Sequence, residues 1–516
     1  MRGRSFRKAG VLLFVLLLAV VVGCQSIGGL NLNDMLIKQL DVNEQEQSQS
    51  FELELEFNDE LLAKEDPEIT SLLKAIQKLS LNITHSKVDD KGNQWVTGVL
   101  KLSKGDIPFT LHSDGKAIRF DVEGAKRPFV VELPDMGSML FGSMGSEGDP
   151  QQQIMESVRQ LIKNVASYFV NGLPNPPVIT VDQVSSPVNG VSTKLTKVHA
   201  EIDGEQLGEL IPVYLDNLVK DKEGFRGALR GMVQWVMELP PEMKRLFGGS
   251  ELFEEDVDID AIVEEGVNEL FPILEEAQKE LADIRNEEDW KKAFNKGINA
   301  KADLFVDDSL HLRKFQAELN IAPEIFADEE IPIKNIKILS SGEMWNVNGD
   351  VDVPAVQVPI NALKLDGLND MQAFQFVRVF EEDSVLYGIL KNDFKIDDQS
   401  FELSDEWGIP FFVDSEGVAY VPIRATMDEF GVRLNVPSAK GEIRFYDQAT
   451  EQSFLLRRGS AKAAVNGEAI TLKHKIVTDG PIAYASAEDL FGLLRAEYKV
   501  TELDNGESIL EVTRDL

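Results

Sequence analysis

Phe51-Glu52-Leu53-Glu54-Leu55-Glu56-Phe57 alternates apolar and acidic side chains without a break. A period of two belongs to a strand with one face buried and the other in water. Downstream, apolar runs bounded by turn residues predict further strands over 80–86, 95–102, 107–112, 117–122 and 129–133. Asp89-Asp90-Lys91-Gly92, Lys104-Gly105-Asp106 and Ser113-Asp114-Gly115 supply the turns. Links this short cannot make parallel crossovers, so the strands form an antiparallel meander.

The period then changes. Ile154, Val158, Leu161, Val165 and Tyr168 keep helical spacing until Asn175-Pro176-Pro177 ends it. One or two strands follow over 178–181 and 194–202. The segment 205–281 is rich in helix: Leu207, Leu210, Ile211, Tyr214 and Leu218 share a face. Val263, Val267, Leu270, Leu274, Ala277, Leu281 and Ile284 are spaced by threes and fours, and Pro272 among them predicts two short helices. Strand alternation returns at Phe315, Ala317, Leu319 and Ile321, at Ile331 and Ile333, and at Ile336 and Ile338. Val353 to Pro359 reads as an extended linker or edge segment.

Meander, helices, meander predicts an α+β fold: an antiparallel sheet with helices packed on one face. By pattern alone it resembles the half-barrel folds of bacterial lipoprotein carriers, which implies a curved sheet around a hydrophobic cavity plugged by helices.

Upstream of the opening strand, Arg2, Arg4, Arg7 and Lys8 precede an apolar run from Val11 to Val22. That is the layout of a secretory signal, and the run falls short of the about 20 apolar residues of a membrane span. Val21-Val22-Gly23-Cys24 resembles the lipobox of bacterial lipoproteins, which implies cleavage before Cys24 and lipid on its sulfur. The alternative is an ordinary signal with an incidental cysteine. Cys24 is the one cysteine in 516 residues, so disulfides are excluded. The formal net charge of −36 becomes about −40 without the signal's four basic residues. Such a surface repels nucleic acid and anionic headgroups, so only the anchor should touch the bilayer.

The most specific internal signal is a duplication. The strand Ala419-Tyr420-Val421-Pro422-Ile423-Arg424 and the short helix that ends at Gly431 have a strand-helix counterpart 64 positions on, where Tyr484 matches Tyr420 and Leu494 matches Phe430. Val465-Asn466-Gly467-Glu468 forms a hairpin leading the second copy. Tyr420, Pro422, Arg424, Gly431, Asn466 and Gly467 carry a resemblance to the copper amine oxidase-like N-terminal domain, or stalk domain, of Gram-positive surface proteins. The resemblance covers about a quarter of the chain and implies a non-catalytic spacer without copper. The second copy departs from it, with Ala485-Ser486-Ala487-Glu488 in place of the motif and Arg495 in place of the glycine.

No residue pattern points to catalysis. His85, His112, His199, His311 and His474 are scattered, and none has a partner at zinc-site spacing. Asp256-Val257-Asp258-Ile259-Asp260 opens like a calcium loop but has Ala261 and Val267 at its sixth and twelfth positions, so it reads as an acidic helix start. Nucleophile-elbow and phosphate-cradling motifs are absent. Met136, Met139, Phe141 and Met144 stand among glycines and serines, as a loop packed on the core or a gate over an apolar ligand.

The expected organisation is a signal over 1–23, a polar tether over 24–50, an α+β body over 51–345, a linker or edge segment over 346–385 and the stalk-like domain over 386–516. The expected protein is a non-enzymatic lipoprotein on the extracytoplasmic face of the cell membrane, with no cofactor and no nucleic acid partner. Its role is structural or binding, toward a surface protein or the cell wall. The alternatives are a carrier of a lipid or other apolar molecule, or a wall hydrolase.

Overall fold

The computed structural model describes residues 30–133, 150–238, 258–322, 331–368, 371–404, 410–435, 441–502 and 507–516. These fall into two compact units. One takes residues up to Glu123 and Arg127–Leu365; the other takes Gly124–Lys126 and Asp366–Leu516.

The first unit begins with helix α1 (Leu32–Gln39) and strand β1 (Gln45–Phe57). Short helices α2 (Asp59–Leu62) and α3 (Pro67–Ala75) lead to the meander β2 (Lys78–Val88), β3 (Gln94–Leu102), β4 (Gly105–Ser113), β5 (Ala117–Val122) and β6 (Phe129–Glu132). Helix α4 (Pro150–Gly172) and hairpin β7 (Val178–Val188) and β8 (Val191–Asp203) come next. Helices α5 (Gly204–Lys220), α6 (Lys222–Glu238), α7 (Ile259–Ile284) and α8 (Glu288–Ala293) precede β9 (Ile298–Val306), β10 (Leu312–Ile321), β11 (Ile333–Trp345) and the short β12 (Leu363–Lys364).

These strands form one 12-stranded sheet in the order β12-β6-β5-β4-β3-β2-β1-β11-β10-β9-β8-β7. Every pairing is antiparallel except β12 with β6. The sheet curls into a half-barrel, and the fold is α+β as expected. The opening strand sits mid-sheet because it serves both neighbours: Leu53 lies opposite Leu79 of β2 and Ile338 of β11.

Helices cover part of the apolar face. Leu207 of α5 and Phe294 are buried against Ile202, Ile298, Ala300, Ala302 and Leu319. Leu32 and Met35 of α1 are buried on Val198, Leu304 and Val306. A separate apolar cluster joins the helices themselves, with Val263, Val267 and Phe271 of α7 packed on Phe225, Leu229 and Val233 of α6.

Three expectations are corrected. The polar tether assigned to 24–50 is part of the fold from Leu30 onward, because Leu30, Leu32 and Met35 are buried and Gln45, Gln47 and Gln49 belong to β1. The two short helices expected around Pro272 are one helix, α7, whose buried residues Val263, Val267 and Phe271 hold it across the lost hydrogen bond. Of the linker or edge segment expected over 346–385, the free-linker alternative fails and the edge one holds in part: β12 is the sheet's terminal strand, Val351, Val353 and Leu363 are buried in the first unit, and Phe374, Val377 and Phe380 in the second.

In the second unit, α9 (Ala373–Val377) and α10 (Val385–Gly388) precede β13 (Gln399–Ser404) and β14 (Phe412–Val413). The first copy runs β15 (Ala419–Pro422), α11 (Ile423–Glu429), β16 (Leu434–Asn435), β17 (Glu442–Asp447) and β18 (Gln452–Arg457). Hairpin β19 (Lys462–Val465) and β20 (Glu468–Thr471) and strand β21 (Val477–Asp479) lead to the second: β22 (Ile482–Ser486), α12 (Ala487–Leu494), β23 (Glu497–Glu502) and β24 (Ser508–Arg514). The copies meet where β15 pairs antiparallel with β22, placing Val421 opposite its equivalent Ala485. Both copies feed one core, with Met427 and Phe430 beside Phe491 and Leu494. In the first copy β17 pairs with β18; in the second, the early strand β13 takes that place beside β24.

Candidate functional site

Cross-strand register assigns each side chain of β1–β6 to a face. One face carries four rows: Gln45, Val88, Gln94 and Ser113; Gln47, Ser86, Val96, Leu111 and Phe120; Gln49, Ile83, Gly98, Phe109 and Val122; Phe51, Leu81, Leu100 and Ile107. No ionisable side chain stands on this face from β1 to β6. The opposite face holds the charges, among them the Lys78–Glu54 pair at 3.0 Å and the Arg119–Asp121 pair at 2.8 Å.

The apolar face is unevenly covered. Over β8–β10, Val198, Ala200, Ala302, Leu304 and Leu319 are buried. Over β2–β5, Leu81, Ile83, Val96, Leu100, Phe109 and Leu111 are only half-buried, and Phe120 is 37% exposed. The helical layer has accessible apolar side chains of its own, including Ile162 and Phe169 of α4, Met232 of α6 and Ile273 of α7. Helix α4 is tied to the meander where Arg159 donates to the Asp90 carbonyl in the β2–β3 turn. Fully burying one such leucine or phenylalanine is worth about 1.5–3 kcal/mol, so the accessible rows of the sheet face favour an apolar partner.

The face is shaped locally by Gly98. A Cβ there would lie 2.7 Å from Cζ of Phe109 and 2.8 Å from the Asn82 carbonyl, so glycine lets the Phe109 ring lie across β3. Phe109 also packs against Phe120, with ring centroids 5.8 Å apart. At one end of the face, Leu62, Leu73 and Ile76 of the α2–α3 segment close over Leu55 and Phe57. The other end holds the uncharged glutamines, where Gln45 donates to Gln47.

Among the helices, burial pushes the phenols of Tyr168 and Tyr214 up to about 12, and the Tyr168 hydroxyl donates to the Leu218 carbonyl at 2.7 Å. On the charged face, His85 lies between Trp95 and Trp345, each with ring centroid 5.6 Å away, and bonds to Glu46 at 2.6 Å. His199 sits between Asp303 and Glu201, and His311 and His474 lie near Asp307 and Asp489. His112 bonds to the Pro354 carbonyl. Among the described residues, no three His, Cys, Asp or Glu side chains come together as a metal site.

Cys24 and the apolar set Met136, Met139, Phe141 and Met144 lie outside the described residues. So does the start of the Asp256–Asp260 run, but its Asp258 caps α7, accepting from Asp260 N at 3.0 Å.

The stalk-motif residues are placed within the second unit. Tyr420 is buried in β15 and stacks on Phe412 at 5.2 Å; Pro422 ends that strand and caps α11; Arg424 is exposed. Gly431 ends α11 with φ +68°, its N–H donating to Asp428. Asn466 and Gly467, with φ of +50° and +87°, form the tight turn between β19 and β20. Arg495, where the repeat lacks its glycine, takes the same left-handed conformation at φ 58°.

Sequence reading missed the face as a site. The signal was present in the odd positions of β1, which stay uncharged from Gln45 to Phe57 while Glu46, Glu52, Glu54 and Glu56 occupy even ones.

No family model matches the chain, and no curated protein matches it. The crystal structure of the Mycobacterium tuberculosis lipoprotein LppX aligns with 62% of this chain and 97% of its own, at 10% identity and a TM-score of 0.18. Likeness at that level carries no argument about this chain. Among the described residues, no helix is long and apolar enough to cross a membrane.

Proposed function

We propose that this protein is a non-enzymatic, extracytoplasmic lipoprotein, anchored through Cys24, whose half-barrel unit holds an apolar ligand. The supporting observation is the charge-free face of β1–β6, half-accessible over β2–β5 while its continuation over β8–β10 is buried. An apolar molecule there would complete a core that the chain leaves open. A charged one would lose hydration with no counter-ion on that face. Met136, Met139, Phe141 and Met144, in the chain between β6 and α4, are proposed as its gate. The second unit is proposed as a spacer of the stalk type, because its motif residues build strands, a helix end and a turn.

Two experiments test the reading. Native mass spectrometry with lipid extraction on the full-length protein should find an apolar molecule co-purifying; a protein that never carries one, even when offered, would remove the ligand role. Cys24→Ala should abolish processing and lipid-dependent membrane retention. An identical, processed and membrane-held Cys24→Ala product would remove the anchor.

A further inference from the structure

The rows of the open face are graded along the strands. At one end stand Gln45, Gln47, Gln49 and Ser86, all able to hydrogen-bond and none charged. Toward the other end the rows become wholly apolar, through Leu81 and Leu100, and the side chains of α2–α3 close them off. From Gln47 to Leu55 is eight residues of β1, about 27 Å at roughly 3.4 Å each. The face is therefore long, apolar at its closed end, and polar but neutral at the other.

We infer that the ligand is an amphiphile with an uncharged, hydrogen-bonding head group, seated among Gln45, Gln47 and Gln49 with its hydrocarbon along Leu81 and Leu100. This rests on the apolar-ligand reading above and narrows it. The side-chain amides satisfy carbonyl or hydroxyl groups of a neutral head, whose transfer from water costs little once those bonds form. The sheet face itself offers a phosphate or ammonium head no partner of opposite charge, since Glu46, Lys87 and Arg119 all stand on its other side, and the cations of α4 near that end are engaged, Arg159 by the Asp90 carbonyl and Lys163 by Asp41. The formal net charge of −36 further disfavours an anionic head.

The test offers the full-length protein, in a neutral detergent micelle, three lipids with the same two oleoyl chains. They are dioleoylglycerol, dioleoylphosphatidate and a dioleoyl lipid with a trimethylammonium head. Native mass spectrometry reads the bound fraction. Dioleoylglycerol should be retained at least about tenfold more than either charged lipid, a difference of about 1.4 kcal/mol. Gln47→Leu with Gln49→Leu should erase that preference, and Leu81→Asp should lower retention of all three, with circular dichroism confirming that both variants are folded. Equal retention of a charged lipid overturns the neutral-head inference and leaves the apolar site standing. Retention of none of the three overturns the apolar site itself. Retention unchanged in folded Leu81→Asp overturns the placement on this face.

Discussion

Gly431 and Arg495 occupy one position in two copies of a repeat, and both take a positive φ, +68° and +58°. The glycine adopts that conformation freely; the arginine pays roughly 1–2 kcal/mol for it. Gly431→Ala should therefore destabilise the second unit by about 1–2 kcal/mol, the more so because a Cβ would overlap the Gln372 amide that bonds to the Phe430 carbonyl. Arg495→Gly should stabilise it by up to about 1 kcal/mol, less what glycine adds to unfolded-state freedom. Urea unfolding of the two variants reads both, and equal shifts of the same sign would contradict the argument. A second residue, Asp489, links the α12 start to the preceding loop. Burial raises its pKa, but hydrogen bonds from Ser486 and from the backbone of Lys473 and His474 outweigh that and hold it below the ordinary 3.8. A depressed folded-state pKa gives stability that is full above the ordinary value and drains away as pH falls through the depressed one. Asp489→Asn should lose stability at neutral pH, and its deficit against the parent should shrink below about pH 4, measured as urea midpoints across an acid series.

Elements whose signal is local were legible in the sequence. The expected strands over 95–102 and 117–122 match β3 and β5 to within a residue, because turn residues bound them on both sides. The β1–β11 pairing, which joins Glu46 to Trp345, has no local signature, so the mid-sheet place of β1 emerges only in three dimensions. Gln45, Gln47 and Gln49 concealed the first half of β1, since a strand polar on both faces loses the visible period of two. Strand β9 also went unread: Asn299, Ala300, Ala302 and Asp303 dilute its alternation, although Ile298, Ala300, Ala302 and Leu304 are all buried. Helix α7 shows packing overriding a local breaker. Phe271 is 3% exposed and sits 5.3 Å from the Phe225 ring, one position before Pro272. Phe271→Ala should cost about 3–5 kcal/mol and lower helical circular dichroism as the segment frays at the proline. A helix signal that stays at the parental level would show that something other than this packing holds α7 together.

For the whole molecule, the acidic balance belongs to its surface and the neutrality to one face of its larger sheet. Protein expressed from Gln25 onward, without the basic and apolar N-terminal segment and without the anchor, should not associate with vesicles rich in anionic lipid at physiological salt, and co-sedimentation would check this; binding there would contradict a surface repelled by negative headgroups. The second unit has a different consequence, which arises during synthesis. Its second copy is completed by β13, and Gln399 on that strand accepts a hydrogen bond from Arg514, 115 positions later. At about 5–20 residues per second, a ribosome would release these partners roughly 6–23 seconds apart. In that interval Phe401 and Leu403 lack the strand they will lie beside, and Asp447 waits for the guanidinium that will neutralise it inside the core. Nascent chains would thus carry an unfinished module with sticky hydrocarbon and a stranded carboxylate, a state that makes this stretch a customer for chaperones.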